Sequence, residues 1–155
     1  MTQGTATRPV ELVVRRTYGA SIDKVFDAWV NPSALEKWFS PNGRFRSPIV
    51  DTECKPGGTH NITMRHSDGE TFEMFGKYID IVPNERVSFT WIYSDDPTQE
   101  SIVTVEFLDT GAGTELVLTH CEVRNQKLAA DFTEGWNQCL DVLELFLAGG
   151  SPLLK

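Results

Sequence analysis

Three histidines and three cysteines have the widest chemical reach in this 155-residue chain: His60, His66 and His120, and Cys54, Cys121 and Cys139. Such side chains ligate metals, move protons or attack as thiolates. Their spacing argues against a metal. His60 and His66 are six residues apart on one extended segment, a span of ~20 Å in a strand, too long for one ion. His60 and His120 can line one pocket, but no third His, Cys or carboxylate stands at ligand spacing beside them, so neither a metal nor a cofactor is expected. The cysteine count is odd and no pair has CxxC spacing, which reads as reduced, buried thiols of a cytoplasmic protein. Cys139 directly precedes the apolar Leu140; as a nucleophile it would need a lowered pKa and a neighbouring base, and the sequence shows neither. No GxSxG, HExxH, phosphate loop or dinucleotide fingerprint is present.

His120 closes an alternating row, Leu116, Leu118, His120. A polar group at an apolar wall can orient a ligand or act as acid or base; the plainer reading is a histidine satisfied inside a core. Tyr78 and Asp80 share one strand face by period 2 and can fix a polar ligand group. The plainer alternative has Tyr78 packed and Asp80 bonded to backbone or to an arginine such as Arg65. Trp38, Phe39, Trp91 and Trp136 are aromatic enough to line a pocket, although aromatics are first of all core residues.

The elements that position these residues follow from periodicity. Residues 1–9 read as a flexible polar tail. Val10–Tyr18 alternates and is rich in β-branched residues, so it predicts a strand. Ser21 caps a helix with apolar positions Ile22, Val25, Phe26 and Trp29, and Asn31-Pro32 starts a second, short helix carrying Leu35, Trp38 and Phe39. From Arg44 to Glu122 strand patterns alternate with turn signals: Arg44–Cys54, Thr59–His66, Thr71–Val82, Arg86–Tyr93, Ser101–Leu108 and Thr114–Cys121. Short loops make successive strands antiparallel. A polar loop, Ser94–Thr98, joins two of them. Asn125–Ala148 is a long helix with Leu128, Phe132, Trp136, Leu140, Leu143 and Leu147 on one face. A glycine, Gly135, interrupts this pattern, where it costs about 1 kcal/mol relative to alanine. It either lets the helix pack closely on the sheet, the favoured reading, or leaves space at a cavity mouth.

One amphipathic helix and one curved sheet bury each other's apolar faces. The inward rows are Val87, Phe89, Trp91, Tyr93; then Val103, Val105, Phe107; then Leu116, Leu118, His120. A single helix does not fill a strongly curved sheet, so a cavity between the two is expected, and apolar cavities are the usual ligand sites. Length and pattern give one domain over 10–150. The composition, 40% hydrophobic and 23% charged, is that of a globular chain. A net charge of −8 disfavours nucleic acid and anionic lipid surfaces as partners. No apolar run approaches the ~20 residues that span a bilayer.

Several stretches carry a family resemblance. Asn31-Pro32 through Trp38-Phe39-Ser40-Pro41, then Gly57-Gly58, then Gly76-Lys77-Tyr78 through Phe89-Thr90-Trp91, then Gly113-Thr114 with Leu116, Leu118 and His120, then Gly135-Trp136 with Leu140 and Leu143, occur in order. Together they resemble the heat-shock protein 90 ATPase activator homologue-like family of the START-like (SRPBCC, Bet v-type) superfamily. The resemblance implies an α+β helix-grip fold: a seven-stranded antiparallel sheet around a long C-terminal helix, with two short helices after strand 1. It implies no single activity, because the superfamily includes binders of lipids, hormones and polyketides as well as cyclases and hydrolases. The expected function is the binding of a small apolar or amphipathic molecule by Trp38, Phe39, His60, Tyr78, Trp91, His120 and Trp136. The alternatives are a cyclase, dehydratase or hydrolase using His120 or Asp80 in the same cavity, and a co-chaperone-like protein-interaction module. Contact with a second copy of the chain or with a chaperone stays open.

Overall fold

A computed structural model describes residues 9–42, 44–93, 98–150 and 152–153. Most of the expected tail, Gly43, and most of the loop Ser94–Thr98 lie outside the described residues. Strand β1 (Val10–Tyr18) buries Leu12, Val14 and Tyr18, the alternate positions that its period predicts. Helix α1 (Ile22–Val30) buries Val25, Phe26, Ala28 and Trp29. Ser21 occupies its N-cap position, but the hydroxyl makes no capping bond. Asn31 ends α1 and caps α2 (Pro32–Trp38), its side chain accepting from the Ser33 amide at 3.0 Å. Pro32 fits the first helical turn because its missing N–H would be unpaired there anyway.

The remaining strands are β2 (Phe45–Thr52), β3 (His60–His66), β4 (Thr71–Phe75), β5 (Tyr78–Val82), β6 (Arg86–Tyr93), β7 (Ser101–Asp109) and β8 (Thr114–Val123). They form one antiparallel sheet in the order β1-β8-β7-β6-β4-β3-β2, with β5 pairing β6 beside β4. The sheet has eight strands where the pattern predicted seven. The difference is one break: the expected strand Thr71–Val82 splits at Gly76-Lys77. Gly76 runs so close to Thr90 that a Cβ at 76 would collide with the Thr90 carbonyl oxygen. Its own carbonyl accepts from the His60 amide at 2.9 Å, so the chain crosses there from β4 to β5.

Helix α3 (Gln126–Leu147) is capped by Asn125, which accepts from the Leu128 amide at 2.9 Å. It lies across the concave side of the sheet. Tyr18 donates to the Leu140 carbonyl at 3.0 Å, and Arg16 reaches Asp141 at 2.7 Å and the Asn137 side chain at 3.0 Å. These bonds fix the helix over β1. Its buried residues Phe132, Trp136, Leu140 and Leu143 meet the inward rows Phe89/Trp91, Val103/Val105 and Leu116/Leu118. Both short helices close one end, where Phe26 packs edge-on to Phe107 at 5.3 Å. This is the helix-grip arrangement. Among the described residues no helix is long and apolar enough to cross a membrane.

Candidate functional site

The interior is filled largely by rings, and two of its histidines differ sharply in how they are held. His120 is fully buried on β8, facing α3. Its Nδ1 lies 3.0 Å from Trp136 Nε1, and its Nε2 lies 2.7 Å from Ser101 Oγ. An indole N–H only donates, so Nδ1 must accept, and the proton of the neutral ring stands on Nε2. That N–H donates to Ser101, whose hydroxyl then donates to the Trp91 carbonyl at 3.4 Å. The ring also stacks on Phe132 at 4.5 Å and 15°. Burial pushes the imidazole down to about 3. A neutral His120 with both nitrogens engaged has no lone pair free to take a proton from a substrate.

His60, at the start of β3, is equally buried, and neither of its nitrogens has a protein partner. Its ring sits 4.7 Å from Tyr78, 4.3 Å from Phe89 and 6.3 Å from Phe39. Burial pushes it, too, down to about 3. Phe39 is the hub of the aromatic interior. It is fully buried and touches Trp29, Trp38, His60, Trp91 and Trp136, with centroids 5.2–6.5 Å away. It follows α2 as the middle residue of a tight turn: φ is −74° and ψ 74°, and the Ser40 amide donates to the Trp38 carbonyl at 2.7 Å. That is inverse γ-turn geometry.

The expected single cavity between helix and sheet is instead two clefts at one end of it. One, of about 250 Å³, is lined by Trp91, Tyr93, Ser101, Val123, Leu128 and Phe132, with Gln99, Glu100, Glu122 and Arg124 around it. Beside it β8 carries a bulge: its pairing with β1 slips between Val10 and Leu12, and Glu122 takes φ 59°. Such an extra residue bends a strand, here where the cleft lies. The second cleft, of about 60 Å³, lies between Phe39, Pro41, Met64 and the α3 residues Phe132, Gly135, Trp136 and Cys139. Trp91, Tyr93 and Phe132 line both. Large rings, Phe39, Trp91 and Trp136 among them, occupy the interior beside the clefts.

Gly135 is not a close-packing residue, contrary to the favoured expectation. A Cβ there would meet nothing within 4 Å, and the residue lines the smaller cleft. Trp38 is held in the core, donating to the Ala28 carbonyl at 2.8 Å, and lines neither cleft. Tyr78 faces the interior and contacts Cys54 Sγ at 3.4 Å. Asp80 does not join it, because the β5–β6 register shifts between them and turns Asp80 outward. There it pairs with Arg86 at 2.7 Å, not with Arg65, which bonds the Ser47 carbonyl. Burial pushes the Cys139 thiol up to about 12, the reverse of what a nucleophile needs. Among the described residues no three His, Cys, Asp or Glu side chains gather at metal-binding distance.

Sequence reasoning assigned no site role to Ser101, Phe132 or Trp29. Ser101 was within reach of the pattern. The inward row Val103, Val105, Phe107 extends two residues back to it, and Val103 pairs with His120.

The chain belongs to a known family: residues 19–148 match the profile described as activator of Hsp90 ATPase homolog 1-like protein. No curated protein matches it. Among solved structures, a protein of unassigned function from Rhizobium leguminosarum is 31% identical, with TM-score 0.74, over 91% of this chain and 95% of its own. The AHSA1 protein of Silicibacter pomeroyi is 22% identical, with TM-score 0.79, over 90% and 98%. A Chromobacterium violaceum protein is 22% identical, with TM-score 0.77, over 88% and 96%. The last two show the fold alone.

Proposed function

We propose that this protein binds a small amphipathic molecule at the end of the helix–sheet sandwich where Trp91, Tyr93 and Phe132 line both clefts. The observation that carries the reading is the composition of the larger cleft: an aromatic floor of Trp91 and Phe132 surrounded by Gln99, Glu100, Glu122 and Arg124. Such a site takes the apolar body of a ligand by shape and fixes its polar end by a few bonds. An acid–base enzyme in the same place finds little support. His120 is committed on both nitrogens, and Asp80 faces outward. The family description favours a second reading, a module that contacts a chaperone. Exposed apolar side chains, Ile49 on β2 and Phe75 on β4 among them, are available for such a contact.

A thermal-shift screen of fatty acids and planar aromatic compounds, read together with tryptophan emission, tests the proposal. Native mass spectrometry of the purified protein adds a search for a retained molecule. A ligand present at 100 times its dissociation constant stabilises by ~2.7 kcal/mol. Trp91→Ala should weaken the response and Glu106→Ala should not. An empty screen with no retained molecule moves the assignment to the protein-interaction module.

A further inference from the structure

Unpaired polar atoms are not scattered through this core. The buried side-chain nitrogens and oxygens with no protein partner among the described residues are Trp29 Nε1, Ser40 Oγ, both His60 nitrogens and Trp91 Nε1. Trp29, His60 and Trp91 each carry a ring in contact with Phe39, and Ser40 is the next residue in the chain. The four residues that carry these atoms therefore all neighbour one side chain, a phenyl ring that can satisfy none of them. Buried polar groups are normally paired, so a cluster of exceptions asks for a partner.

We propose that Phe39 plugs a ligand site and that the ligand is a planar aromatic bearing a hydroxyl group, which takes the place of the phenyl ring. This rests on the small-molecule reading above and narrows it. The walls of the site are rings set at 37–90° to Phe39, a shape that encloses a flat molecule. Its polar complement is two indole N–H donors, an imidazole able to donate and accept, and a serine hydroxyl. A phenolic hydroxyl both donates and accepts, and so can pair with His60 and an indole at once. The path in is the smaller cleft, whose wall includes Phe39 itself and whose lip includes Gly135, where no side chain intervenes. Phe39 is the C-cap residue of α2, its amide donating to the Leu35 carbonyl at 3.0 Å, so the ring can leave by side-chain rotation with that backbone bond kept.

The test uses 2-naphthol and its isostere 2-methylnaphthalene with ¹⁵N-labelled protein. The chain has 4 tryptophans, hence one indole N–H signal for each. Trp38 and Trp136 already donate, to the Ala28 carbonyl and to His120. 2-Naphthol should therefore shift the Trp29 or Trp91 indole signal strongly and the other two weakly, and 2-methylnaphthalene should bind at least about tenfold more weakly. His60→Leu should bring the two affinities together. Phe39→Ala should raise 2-naphthol affinity at least about tenfold, as the vacated ring volume becomes available without displacement. Phe39→Leu, the gentler change, should raise it less. Equal affinity for both probes in wild type, or unchanged 2-naphthol affinity in both folded Phe39 variants, overturns the plug. So does binding to the variants with none to wild type. If 2-naphthol fails while the broader screen finds a ligand, only the plug falls; if both fail, the ligand-binding reading falls too.

Discussion

Lowering the pH from 7 to 5 should destabilise this protein by about 4 kcal/mol through two residues alone. His60 and His120 are each pushed by burial down to about 3 in the folded chain, below the ordinary value near 6.5 that they regain on unfolding. The unfolded chain therefore binds more protons below pH 6.5. The stability these groups contribute is complete above that value and is lost progressively as the pH falls toward 3. Between pH 6.5 and 5 each neutral histidine forgoes about 1.5 pH units of protonation, or ~2 kcal/mol at 1.36 kcal/mol per unit. The sum is a large part of an ordinary domain stability of about 5–15 kcal/mol. Urea unfolding at pH 7.5, 6.5, 5.5 and 5.0, followed by tryptophan emission, measures it. Carboxylates also titrate in acid, so the decisive quantity is the comparison with His60→Leu, which should lose ~2 kcal/mol less than wild type over the same range. The two histidines should also part company at pH 7.5. His60→Leu removes two unpaired nitrogens from an apolar place and should stabilise by about 1–3 kcal/mol. His120→Leu strands the Trp136 N–H, while Ser101 keeps its bond to the Trp91 carbonyl, and should destabilise by a similar amount. Parallel pH curves for wild type and His60→Leu would refute the claim that the folded chain holds His60 neutral.

Two glycines give opposite expectations. Gly135→Ala should stabilise by up to ~1 kcal/mol, since the added methyl meets nothing and gains helix propensity; Gly135→Leu should fold normally but obstruct the smaller cleft and reduce ligand uptake, and a large loss of melting temperature in either would show hidden crowding. Gly76→Ala should destabilise by at least about 1–3 kcal/mol, because its Cβ collides with the Thr90 carbonyl at the β4–β5 crossing; an unchanged urea midpoint would mean that the crossing adjusts freely.

The sequence carried the elements well because their physics is local. Alternation placed Val87, Phe89 and Trp91, and Leu116, Leu118 and His120, on the buried side, and the 3.6-residue period placed Phe132, Trp136, Leu140 and Leu143 on the buried stripe of α3. What failed depended on a partner far along the chain. The break at Gly76 exists because Thr90 lies against it, and nothing near residue 76 announces that. Period 2 put Tyr78 and Asp80 together, and a single register shift against β6 separated them. The apolar faces implied space between helix and sheet, but whether Phe39, Trp91 and Trp136 leave it open or fill it is decided by how rings interdigitate across five elements, which no one-dimensional pattern records.

The same limit explains why two histidines that look alike in sequence differ in the fold. Each stands on a strand facing the core, and each is held neutral by burial. His120 meets one donor and one hydroxyl in the geometry its tautomer requires, so its chemistry is spent on fixing α3 to β7 and β8. His60 meets only rings. An unpaired buried polar atom costs about 1–3 kcal/mol. The residues that carry the five unpaired atoms all neighbour Phe39, and a water or a ligand that engaged those atoms would relieve that cost. A purely structural core has no need of that arrangement, since a leucine at 60 and an alanine at 40 would remove three of the five atoms without leaving a charge or a partner behind. A surface module contacting another protein has no need of it either, because none of these atoms reaches the surface. The planar, hydroxyl-bearing ligand proposed above would give these atoms a partner.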